Sequence, residues 1–192
     1  MFIKEGGSMD LTTCIKTNIL KNTIIKEIKN KIATAKVIKY GNPSIDPSTK
    51  DYMLDAKDVV IVDEKDKKES KATKGFVYLL LDDSNNCLYV GSSRNIKSRL
   101  DSHLIKNNKI KKDGTPRKSI TGSEIDNVFD HVVKSKSIKY CYAKIEPWYL
   151  YTAVEIQLID YFRKKNEKDG VASIWNAGYK DDDSMNETPG AK

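Results

Sequence analysis

Cysteine and histidine are scarce in this 192-residue chain, with three of the first and two of the second. Cys14, Cys87 and Cys141 form no CxxC pair. The close ligand couples of a structural zinc site are therefore missing. An odd, sparse cysteine set also excludes a disulfide framework and points to a reducing compartment, which predicts a cytoplasmic protein. No apolar run reaches the roughly 18 residues that span a bilayer. The first residues carry Lys4, Glu5 and Gly6-Gly7-Ser8 in place of an apolar signal segment, and Met9 reads as a natural start. Hydrophobic residues make up only 39%, which suits one modest core with an elaborated end.

Positive charge is abundant, and its placement is more telling than its total of +7. Residues 86–144 carry 13 Lys/Arg against 5 Asp/Glu, a local excess of +8. Concentration in one central segment is what a protein that meets a polyanion needs. A Lys-rich solvated surface is the ordinary alternative.

Residues 1–74 read as an N-terminal extension. Leu20, Ile24, Ile28 and Ile32, widened by Ile15, Ile19 and Ile25, predict a helix over 12–36. Its apolar stripe suits docking on a core, pairing with a second copy, or lying along a DNA backbone. Val59–Val62 predicts a short strand, and residues 63–74, nearly devoid of apolar side chains, an exposed charged linker.

Beyond the linker, Gly75–Leu81 and Cys87–Gly91 predict a β-hairpin around the turn Asp82–Asn86. A helix over 95–106 follows, with Ile96, Leu100 and Leu104 four apart. Residues 106–137 form a basic insertion with a short helix near 123–134. Ile138–Ile145 alternates as a third strand, a helix runs from Tyr149 to about Lys165, and 181–192 is a tail.

Four observations suggest chemistry. Tyr78 and Tyr89 lie on paired strands, where their phenols can share a face. Packing is the ordinary use of such residues. Gly91 and Ser92 permit close backbone approach at that edge. Arg99 and His103, four apart, project together from the margin of a buried stripe, and suit phosphate contact and proton transfer respectively. Glu155 stands among Leu158, Ile159 and Phe162 at helical spacing. A carboxylate there needs a cation, a partner or a metal.

Together these residues resemble the GIY-YIG nuclease family. Phe76-Val77-Tyr78 is similar to its first signature and Tyr89-Val90-Gly91 to its second. Arg99 stands ten residues after the second Tyr, His103 one turn later, Glu155 on the helix after the third strand, and Asn176 in a Trp-Asn context. The likeness covers about 75–180. Phe76 departs from the signature's usual Gly, although Gly75 precedes it, and the insertion exceeds the minimal core.

The resemblance implies an α/β fold: a small antiparallel three-stranded sheet flanked by helices, here with an N-terminal helical extension. It implies hydrolysis of a phosphodiester with one Mg²⁺ or Mn²⁺ held by Glu155. Tyr78 would be the general base, with Tyr89 the alternative, and His103 would accept the phenolic proton. Arg99 would stabilise developing charge, and Asn176 would position the phosphate or support Glu155. Double-stranded DNA would be contacted by Lys106, Lys109, Lys111, Lys112, Arg117 and Lys118, together with Ser92 and Arg94. The compact arrangement is most similar to the Type II restriction branch, implying a homodimer and a cognate methyltransferase. A mobile-element or toxin nuclease, and a non-catalytic nucleic-acid-binding module, stay open.

Overall fold

The computed structural model describes residues 11–42, 44–45, 52–53, 56–68, 74–106, 109–110 and 123–176. Lys111, Lys112, Arg117, Lys118 and the tail fall outside them. Five α-helices are described: α1 (Leu11–Ala33), α2 (Glu64–Lys68), α3 (Ile96–Asp101), α4 (Ser123–Ser135) and α5 (Tyr151–Lys168). The strands are β1 (Lys36–Lys39), β2 (Ser44–Ile45), β3 (Tyr52–Met53), β4 (Gly75–Leu81), β5 (Cys87–Ser93), β6 (Lys109–Ile110) and β7 (Ser137–Ile145).

The main sheet is antiparallel with order β1-β7-β4-β5. Both its faces are covered, which is why β4 reads as an unbroken apolar run and is buried throughout. Phe76, Tyr78 and Leu80 face one layer, with Leu100, Leu104, Val128 and Val132 from the α3 and α4 side. Val77, Leu79 and Leu81 face the other, with Ile24 and Ile28 of α1 and Val154, Leu158 and Phe162 of α5. The C-terminal half of the α1 stripe is thus used inside the molecule.

The sheet has four strands where the sequence predicts three. The fourth, β1, comes from the extension and pairs Lys36 with Tyr140 and Ile38 with Ile138. Its four residues bury only Ile38, too short a pattern to separate from the end of the preceding helix.

Val59–Val62 is extended but forms no strand. Val60 and Val62 are buried, whereas Val59 and Ile61 are 71% and 56% exposed, the alternation of an extended chain. Its backbone partners are tyrosine side chains of β7. The Tyr140 hydroxyl accepts from Ile61 N (2.7 Å) and donates to Ile61 O (3.1 Å), and the Tyr142 hydroxyl accepts from Asp63 N (2.9 Å). The side chains satisfy groups that a neighbouring strand would otherwise take.

The predicted linker is also partly structured. It forms α2, and Lys74 is only 2% exposed, bonded to Asp66 (3.2 Å) and Lys65 O (2.8 Å). A buried pair is broken at high cost when one partner is removed. Lys74→Met should therefore destabilise the protein by about 3 kcal/mol, and Lys74→Met with Asp66→Leu should recover most of the loss in urea unfolding.

Candidate active site

The hairpin register builds the site. Tyr78 is opposite Gly91, Leu80 opposite Tyr89, and Leu81 opposite Cys87. Leu88 is the extra residue, a β-bulge. Without it, Cys87 and Tyr89 would lie on the same face by simple alternation. With it, Cys87 joins the α5 layer and Tyr89 the Tyr78 layer. The two rings meet with centroids 5.9 Å apart. Opposite Tyr78, a β-carbon on Gly91 would fall 2.4 Å from the phenol Cζ and Oη. The Tyr78 ring therefore lies directly against the backbone of β5.

The helix predicted over 95–106 divides here. Asn95 caps it by accepting from Ser98 N (3.1 Å). It runs as α3 and then as a π-helical turn over Ser102–Lys106. Arg99 Nε donates to the Tyr78 hydroxyl (3.3 Å), and His103 Nε2 stands 3.1 Å from the same oxygen. With Arg99 on one lone pair, the phenolic proton is available to His103. His103 Nδ1 is buried with no partner among the described residues.

Burial, augmented by repulsion from Tyr89, holds Tyr78 well above its ordinary value, while Arg99 pulls it down. Burial also pushes His103 down to about 4, and the Arg99 charge adds to this. Arg99 is raised although burial opposes it, because the two phenols favour its charge. The resting cluster is therefore phenol, neutral imidazole and guanidinium. Proton transfer from Tyr78 to His103 is uphill in the resting site, because burial raises the phenol and lowers the imidazole.

Glu155 lies on the other side of β5. It is half-buried at the edge of the α5 stripe, not within it, and accepts from Ser92 Oγ at 2.5 Å. Ser92, expected at the DNA, donates its hydroxyl to this carboxylate. Tyr78 and Glu155 thus approach one edge strand at consecutive residues, Gly91 and Ser92, from opposite faces.

Asn176 is buried and pairs in two directions with β5. Its Oδ1 accepts from Val90 N (3.0 Å) and its Nδ2 donates to Val90 O (2.7 Å). Trp175 N donates to the O of the bulge residue Leu88 (2.7 Å). These bonds cap the edge up to the residue before Gly91. Asn166, missed in the sequence, anchors this segment from α5 through Cys87 O (2.8 Å) and Ala172 O (3.0 Å). Its signal was a polar residue four after Phe162, on the buried stripe.

Arg94 is exposed, with its guanidinium 4.6 Å from the Trp148 ring centre, a partner the sequence reading passed over. The backbones of Lys106 and Lys109 lie in the π turn and β6. No cluster of three His, Cys, Asp or Glu forms among the described residues; Glu155 is joined to β5 through Ser92.

Gly91→Ala should displace the Tyr78 phenol. Misplacement of about 1 Å can cost roughly 100-fold in rate, so kcat should fall at least that far with DNA retardation intact. Stability should also follow His103. Folding keeps it neutral, whereas the unfolded chain takes up a proton near 6.5. Stability therefore falls as pH drops from 6.5 to about 4 and levels below. His131, also lowered by burial, acts in the same direction. Urea unfolding of His103→Gln across that window should show a drop smaller by roughly 3 kcal/mol than wild type.

Residues 74–169 match the family described as the GIY-YIG catalytic domain. No curated protein and no solved structure matches the chain. The matched stretch holds Tyr78, Tyr89, Arg99, His103 and Glu155, and with half of its length accounted for, the chain belongs to the GIY-YIG family, whose domain implies a nuclease acting on DNA.

Proposed function

We propose that this protein is a metal-dependent endonuclease that hydrolyses phosphodiester bonds in double-stranded DNA, and that it is a sequence-specific Type II restriction enzyme. The observation that carries the hydrolytic reading is the Tyr78 hydroxyl held between Arg99 Nε (3.3 Å) and His103 Nε2 (3.1 Å), with Glu155 fixed by Ser92 on the adjoining residue of the edge strand. The +8 excess of residues 86–144 supports a polyanionic substrate.

One carboxylate beside a hydroxyl is a donor set that suits Mg²⁺ or Mn²⁺, hard ions that complete their shells with water and substrate phosphate. When bound, such an ion supplies Lewis-acid polarisation of the phosphodiester. Glu155 would hold it, and Ser92 keeps that carboxylate in one orientation. Tyr78 accepts the proton of the attacking water after passing its own to His103. Arg99 stabilises the phenolate and the charge that develops on phosphorus oxygens. Tyr89, whose ring lies against both Tyr78 and His103, orients the water. Asn176 supports the site through β5 by pinning Val90. Lys106, Lys109, Lys111, Lys112, Arg117, Lys118 and Arg94 would meet the DNA backbone. The restriction reading carries with it a homodimer on a two-fold site and a cognate methyltransferase.

Incubation with a large unmethylated DNA and Mg²⁺ should yield discrete fragments. Glu155→Ala should abolish cleavage while DNA is still retarded in gels, and Ser92→Ala should slow it about tenfold, as expected for a residue supporting a metal ligand. A smear removed by Glu155→Ala would favour a mobile-element or toxin nuclease. Retardation without cleavage in Mg²⁺ or Mn²⁺ would leave a binding module.

A further inference from the structure

The N-terminal extension lies outside the matched catalytic domain, yet one of its side chains reaches the turn that carries His103. Tyr40 follows β1 directly and is 4% exposed. Its backbone is fixed at two points: Tyr40 N donates to Lys136 O (2.9 Å), and Tyr40 bridges Ala56. From that anchor its hydroxyl donates to Leu104 O (2.8 Å), a buried bond spanning 64 residues of sequence.

Leu104 is the central residue of the π turn over Ser102–Lys106. π turns have longer loops and poorer intrinsic support than α turns. The residue whose carbonyl Tyr40 captures is the immediate neighbour of His103. The extension grips the turn a second time: β3 pairs with β6 just beyond it, Tyr52 opposite Ile110 and Met53 opposite Lys109.

We infer that Tyr40 is a positioning residue that locks the π turn so that His103 Nε2 meets the Tyr78 hydroxyl, making the extension part of the catalytic apparatus. This rests on the nuclease reading for its consequence in rate, though not for its consequence in geometry. Among the described residues, Tyr78, Tyr89 and Arg99 face His103, and Tyr40 meets the turn at the Leu104 carbonyl.

Tyr40→Phe removes one hydroxyl and keeps the ring. Tyr140→Phe is the control, because it also removes phenol bonds to the extension, at Ile61 N and O, while its hydroxyl makes no hydrogen bond to the turn among the described residues. Two readouts separate the claims. The first is kcat and KM for cleavage of duplex DNA in Mg²⁺, at a temperature where every variant is folded. The second is NMR titration of the histidine rings, readily assigned because the chain has only two.

Tyr40→Phe should lower kcat at least about tenfold with KM nearly unchanged, as a loss of positioning does. It should also shift the His103 ring signals and move its pKa up from about 4. Tyr140→Phe should leave both within twofold or unshifted. Unchanged His103 signals in Tyr40→Phe, or equal losses in the two variants, would overturn the inference. If wild type does not cleave DNA but His103 responds to Tyr40→Phe alone, the nuclease reading falls and the positioning stands.

Discussion

The site depends on one close approach, the Tyr78 phenol lying against the backbone of Gly91. Only a residue without a β-carbon lets the ring reach that depth. Once there, its hydroxyl stands where Arg99 and His103 can both reach it. The same contact sets the distance between the two halves of the site. Gly91 faces the tyrosine layer, and Ser92, next along the strand, faces α5 and orients Glu155. The two halves therefore flank β5, the edge strand of the sheet.

An edge strand against which such a site is built is vulnerable to slippage, since a one-residue slip reverses every side chain. Three features resist it here. The bulge at Leu88 fixes register, Trp175 N binds the carbonyl of that residue, and the Asn176 amide takes both backbone groups of Val90. Asn176 is thus tied to the catalytic strand by ordinary backbone pairing. Its influence on Glu155 or on a phosphate runs through the position of β5.

Polar groups buried in this fold mostly join segments distant in sequence. Tyr140 and Tyr142 hold the extended run at 60–63, and Tyr40 reaches Leu104. These bonds tie described parts of the extension to β7 and to the turn bearing His103. Such bonds are invisible to periodicity. Val59–Val62 had the alternation of a strand and the right buried positions, but its partners are hydroxyls, which no local pattern specifies. β1 was hidden for the opposite reason, because four residues with one buried side chain carry almost no pattern at all.

The sequence by itself determined the hairpin, the helix bearing Arg99 and His103, the third strand and the Glu155 helix, because each rests on local spacing that burial on one face enforces. It also determined the family, because the signature residues occur in order on those elements. Only the tertiary structure decided that Tyr89 shares a face with Tyr78, since that follows from a bulge whose location depends on pairing. It alone placed Ser92 on Glu155 and Asn176 on Val90, and it moved Glu155 from the middle of a stripe to its edge. These are contacts between residues 63 to 86 positions apart. Their energies depend on which surfaces meet, and no window of sequence contains both partners.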